Sequence, residues 1–155
     1  TGSEPPLLTI FGGKITTYRK LAEHALEKLA PFTGKHQAWT STAPLPGADL
    51  PNADINLFTS QLQKDFPWLP KDTASRYARA YGTLALAFLA GKTSLESLGQ
   101  HFGHDLYEVE VKWLQEHEWA SCAEDILWRR TRLGLHFTPA QTLALQNWLE
   151  KQTVN

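Results

Sequence analysis

Apolar residues recur along this chain at spacings of three and four, in runs that proline or glycine repeatedly cuts short. A helix turns once every 3.6 residues, so this spacing gathers apolar side chains on one face and demands helices that pack on one another. Tyr18, Leu21, Ala22, Ala25, Leu26 and Leu29 form one such face, which Pro31 is expected to end. Ile55, Phe58, Leu62 and Phe66 give a second helix stopped by Pro67, and Ala74, Tyr77, Ala78 and Tyr81 a third. The run Leu84–Ala90 is apolar on all sides and reads as a short central helix closed by Gly91. Leu106, Val109, Trp113 and Leu114 define a long helix, Ile126, Leu127 and Leu133 the next, and Leu145, Trp148 and Leu149 the last. Thr93–Glu96, Ser121–Glu124 and Thr138–Gln141 each match a capping box, and Pro139 occupies the favoured first helical position. The expected fold is all-α, a bundle of about seven helices.

Composition narrows the class. The chain has 155 residues, enough for one domain with a core. Its 15 basic and 16 acidic residues leave a net charge of −1, against the basic excess of a nucleic-acid binder. The single cysteine, Cys122, excludes an internal disulfide and suits a reducing compartment. No apolar stretch reaches the roughly 20 residues of a membrane span, and TGSEPP is not a signal peptide. The expectation is an intracellular globular domain.

One element breaks the helical pattern. Leu7–Phe11, short, apolar and bounded by Pro6 and Gly12, reads as a buried strand. A lone strand cannot satisfy its own backbone, and the nearest candidate partner, around Gln37–Thr42, is weak. The strand is therefore expected to belong to a sheet outside this chain, which would make the chain a piece of something larger.

Gly12-Gly13-Lys14 follows that strand and precedes a helix. A phosphate-binding P-loop needs glycine where Leu8 stands and Ser or Thr where Ile15 stands, so that motif fails twice. What survives is a tight turn into a helix N-terminus, whose free N–H groups and partial positive charge suit an anion. A plain strand-to-helix turn with an exposed lysine explains the same residues. His101 and His104 could share a metal, but Gly103 argues against a regular helix, and Asp105 reads better as a cap. Arg129, Arg130 and Arg132 close a helix that Glu124 and Asp125 open, which complements the helix dipole and pairs Asp125 with Arg129. Lys71, Arg76 and Arg79 interleave with Tyr77 and Tyr81, a face that either lies on an anionic membrane or packs partly inward.

FGGKITTYRKLAEHALEKL and HFGHDLYEVEVKWLQEHEWASCAEDILWRRTRLGL together resemble the FAD-dependent (aerobic, respiratory) glycerol-3-phosphate dehydrogenases of bacteria. The first resembles the segment joining the flavin domain to the C-terminal domain, the second that family's helical C-terminal domain. Residues 32–72 depart more. The resemblance implies residues 1–14 as the truncated strand and glycine turn of the flavin domain, and 15–155 as the C-terminal helical domain. It implies a parent enzyme that oxidises sn-glycerol 3-phosphate to dihydroxyacetone phosphate. FAD would take the hydride and pass electrons to quinone, on the cytoplasmic membrane as a peripheral protein. By match to the motif, Gly12, Gly13 and Thr16 would let the backbone approach FAD, Thr17 would cap the helix, and Lys14 would contact substrate phosphate or flavin. This piece alone is expected to be inactive and to hold no FAD. Its implied partners are its own N-terminal flavin domain, with a homodimer and a membrane contact left open, and no nucleic acid. A self-standing helical protein-interaction module is the rival reading.

Overall fold

The computed structural model describes residues 5–35 and 37–153. The chain divides into two compact units, Thr1–Leu45 and Pro46–Asn155. Helix is the dominant element in both, and the sole sheet among the described residues is a two-stranded hairpin.

In the first unit, a 3-10 turn, Ile15–Thr17, runs directly into α1, Tyr18–Thr33. Pro31 does not end this helix but lies inside it. Proline forfeits only one hydrogen bond so close to the terminus. Gly34, at φ 88°, then closes the helix by donating its N–H to Ala30 O at 3.0 Å. Leu7–Phe11 forms no strand and has no sheet partner, and Leu7 and Phe11 are about nine-tenths exposed. The apolar face of α1 is only partly covered: Glu23 is its one buried residue, Leu21, Ala25 and Leu29 are half-buried, and Tyr18, Leu26 and Phe32 are exposed.

The second unit holds every buried apolar residue among those described, from Phe58 to Leu149. Asp54 caps α2, Ile55–Asp65, by accepting from the N–H groups of Asn56 and Leu57. The helix buries Phe58 and Leu62. Helix α3, Lys71–Tyr81, buries Thr73, Ala74, Tyr77, Ala78 and Tyr81. Gly82 follows at φ 55°, and a Cβ there would meet Gly47 O at 1.8 Å, so only glycine fits this crossing. Helix α4, Ala85–Leu89, buries Ala85, Phe88 and Leu89 but leaves Leu86 exposed, so it is one-sided rather than buried all round.

Leu106 is not helical. His101–Gly103 (β1) and Leu106–Tyr107 (β2) pair antiparallel, because Gly103 and His104 adopt positive φ and reverse the chain. Helix α5, Glu108–His117, starts directly after β2. A π-helical turn, Asp125–Arg130, replaces the regular helix expected there, and α6, Pro139–Thr153, closes the chain. Among the described residues the second unit thus holds five α-helices and this turn, and the first unit one. Of the three expected capping boxes, Thr138–Gln141 forms as drawn, with Thr138 N donating to Gln141 Oε1 and Gln141 N to Thr138 Oγ1. The other two shift by one residue. Ser97 serves the N–H groups of Thr93 and Ser94, and Asp125, not Glu124, accepts from Ser121.

Candidate functional site

The glycine turn is built by two residues without side chains. Gly12 and Gly13 sit at φ 84° and 133°, a region that L side chains avoid. A Cβ on Gly13 would press on Leu21 Cδ2 at 3.2 Å, so the turn is seated on the helix it introduces. A Cβ on Gly12 would meet nothing within 4 Å, which leaves that backbone open to an approaching group. Thr17 does not cap the helix: its hydroxyl donates back to Lys14 O at 3.3 Å, as does its N–H at 2.9 Å. The N–H groups of the first helical turn thus carry no side-chain cap. Lys14 is exposed and its ammonium has no partner among the described residues, and Thr16 is exposed beside it.

Farther along α1, Glu23 accepts from Arg19 at 2.8 Å, Lys20 at 3.1 Å and the Thr40 hydroxyl at 2.5 Å. The Thr40 hydrogen bond, with the two cations, holds its carboxyl below the usual range. This cluster fastens the segment around Trp39 alongside the helix and frames a groove with Leu26, Ala30 and Lys35 on its walls.

The second unit contains a buried polar centre that sequence reading assigned elsewhere. Arg76 forks onto Glu110 through Nη1 and Nη2, both at 2.6 Å, and onto Asp105 Oδ2 through Nε at 2.7 Å. Its Nη2 also donates to Asp105 O at 2.9 Å, and the guanidinium lies over the Tyr77 ring, 4.8 Å from its centre. Tyr81 donates its hydroxyl to Glu110 Oε1 at 2.5 Å. Burial opposes the charge on Arg76, but Glu110 and Asp105 outweigh it and raise its pKa above the ordinary arginine value. Burial, and then the Glu110 charge, push the Tyr77 and Tyr81 phenols well above 10.

This arrangement bears on two readings of the sequence. The basic aromatic face of Lys71–Tyr81 packs partly inward: Tyr77 and Tyr81 are buried and Arg76 is bound to carboxylates, while Lys71 and Arg79 are exposed. Asp105 is not the cap of α5, which Tyr107 precedes, but pairs the hairpin turn with Arg76 on α3. One signal was in the sequence: Glu110 stands four residues after Leu106 and four before Leu114, an acid in the apolar stripe. The histidines hold no metal geometry, His101 instead bonding His104 O at 2.9 Å, and the described residues contain no cluster of three metal-ligating side chains. The arginine cluster splits as its charges suggest: Arg129 pairs with Asp125 and Glu124, while Arg130 donates to Glu118 O. Arg132 meets no carboxylate among the described residues.

The family of the C-terminal domain of alpha-glycerophosphate oxidase matches residues 38–150. Over 96% of its length the chain is 48% identical to a glycerol-3-phosphate dehydrogenase of Pseudomonas aeruginosa, covering 29% of that protein. It is 46% identical to the D-erythritol 1-phosphate dehydrogenase of Brucella abortus (94% of this chain, 29% of that protein). The aerobic glycerol-3-phosphate dehydrogenase of Escherichia coli is 44% identical (96% of this chain, 30% of that protein). The chain thus spans less than a third of the length of these relatives. By this match, the chain belongs to the family of the alpha-glycerophosphate oxidase C-terminal domain.

Proposed function

We propose that this chain is the C-terminal part of an FAD-dependent dehydrogenase that oxidises a polyol phosphate, sn-glycerol 3-phosphate first among them, and delivers electrons to quinone. The observation that carries the reading is the near-complete alignment, at 44–48% identity, with two glycerol-3-phosphate dehydrogenases. The glycine turn fits one edge of a flavin: its backbone is open at Gly12, its helix start is uncapped, and Lys14 is unpaired. FAD, when bound, supplies the hydride acceptor. The chain's own contribution is electrostatic. Gly12, Gly13 and Thr16 bring N–H groups to the ring edge, the α1 dipole favours negative charge there, and Lys14 orients the substrate phosphate or the flavin. Thr17 belongs to this turn through its bonds to Lys14 O. No described helix is long and apolar enough to cross a membrane; in this reading the parent sits peripherally on the cytoplasmic membrane, where its quinone lies.

The exposed Leu7 and Phe11 support assigning residues 1–14 to the flavin domain, with 15–155 as the C-terminal helical domain, within which the family match begins at residue 38. The 155-residue piece then has neither bound FAD nor turnover. Lys14→Ala in the full-length enzyme should lower kcat/KM for glycerol 3-phosphate by roughly 10²-fold, the loss of one charged contact at the reacting end. Steady-state kinetics with a quinone analogue, alongside the flavin absorbance of the purified variant, test this. Unchanged kinetics would remove Lys14 from the site.

A second reading has one observation in its favour: the second unit has its own core and is equipped to stand alone as an interaction module. A full-length protein without flavin would favour it.

A further inference from the structure

Two stacked imidazoles join the hairpin to the segment that leads into α6. The His104 ring lies nearly parallel to that of His136, with centres 4.6 Å apart and 17° between the planes. Both residues are exposed, so protons from solvent reach either ring. His104 stands at the hairpin turn at φ 51°, and His101 Nε2 bonds its carbonyl at 2.9 Å. On the facing side, Leu135 and His136 donate their N–H groups to Arg132 O and Leu133 O, at 3.2 and 2.9 Å, and so form the turn that carries His136. His104 has a second neighbour. Its Nε2 lies 3.7 Å from Asp105 Oδ1, the carboxylate oxygen that Arg76 does not take. That oxygen is buried and has no hydrogen-bond partner among the described residues, which costs free energy until a donor arrives.

We propose that the His104–His136 stack is a proton-operated clasp, closed while at most one ring is charged and opened when both are. Histidine is the side chain that ordinarily changes charge between pH 5 and 8. A neutral or singly charged pair stacks favourably, since a cation over a π face is attracted too. Two imidazolium rings with centres 4.6 Å apart repel. His104 then has a place to go: a rotation of its ring brings Nε2 within reach of Asp105 Oδ1, and the charge-assisted bond gives the stranded oxygen its donor. The other charged and titratable groups facing the pair do not compete for this role. Arg76 of α3 is held by Asp105 Oδ2 and by Glu110 of α5, so one cation already meets two carboxylates. From the strands, His101 and Tyr107 stack on each other with centres 4.8 Å apart. From α6, Gln141 packs on Gly103 and is uncharged, and Arg132 opens the turn below His136 through its carbonyl. The stack's contribution is thus present at neutral pH and lost as pH falls, and the turn at residues 132–136 loosens with it.

The test is nuclear magnetic resonance of the full chain at about pH 8 and about pH 5, the span over which histidine charges. Cross-peaks between the ring protons of His104 and His136 should be present at the higher pH and absent at the lower. Protection of the Leu135 and His136 amides, normalised for the intrinsic pH dependence of exchange, should drop about 2- to 10-fold on acidification, the worth of one aromatic pair. His136→Phe keeps a ring in place but removes one of the two charges, so its Leu135 amide should stay protected at both pH values. His104→Asn suits the left-handed φ and abolishes the stack, so its protection at the higher pH should already equal that of wild type at the lower. Buried amides such as that of Leu114 should keep their protection throughout, which separates opening of the clasp from acid unfolding. Ring cross-peaks that persist in acid would overturn the proposal. So would a His136→Phe variant that loosens with acid as wild type does, or a loss of protection spread evenly over the chain.

Discussion

Tyr77 and Tyr81 show how a single side chain ties stability to solution conditions. Both phenols are buried beside Glu110, and both are held neutral far above the pH at which an exposed tyrosine ionises. A group whose pKa is raised on folding adds stability that is intact below its unfolded value and lost as pH rises through the folded one. The loss should therefore begin near pH 10, where tyrosines of the unfolded chain release their protons. A urea midpoint measured from pH 8 to 12 should fall above pH 10, and the phenolate absorbance of these two residues should appear only with unfolding. Removing both effects with Tyr81→Phe is uninformative, since it also strips Glu110 of a donor.

At the scale of elements, Arg76 joins three pieces of structure with one guanidinium: α3, the hairpin turn and the start of α5. Breaking a buried ion pair from one side leaves the other charge stranded, which costs about 3–5 kcal/mol. Arg76→Met should destabilise the second unit by about that much, read from denaturant unfolding. Adding Glu110→Leu and Asp105→Asn should restore part of the loss. These partners lie 29 and 34 residues from Arg76, and no local spacing announces such a pair. The faces of α2 and α3 were legible because period and punctuation are local properties, whereas the π turn and the hairpin depend on Gly103, His104 and contacts made across the fold. The glycine turn lies between these cases. Its conformation follows from two adjacent glycines, whereas the flavin proposed to face it comes from the resemblance alone.

For the whole molecule, burial is lopsided. The described apolar core runs from Phe58 to Leu149 and includes no residue of the first 45. A chain cut to residues 46–155 should fold cooperatively and retain its thermal midpoint within a few degrees, because the deletion removes no buried apolar side chain. Differential scanning calorimetry of the two lengths decides it, and loss of a cooperative transition would show the division to be illusory.

The unpaired Leu7–Phe11 segment has a practical consequence. Five residues of high strand propensity, uncharged and free of proline, lie exposed next to a partly covered helix face. Offered no edge to join, such a segment pairs with copies of itself, so the 155-residue chain stored concentrated is a seed for β-rich aggregation. Paired into a sheet, the same segment would be silent.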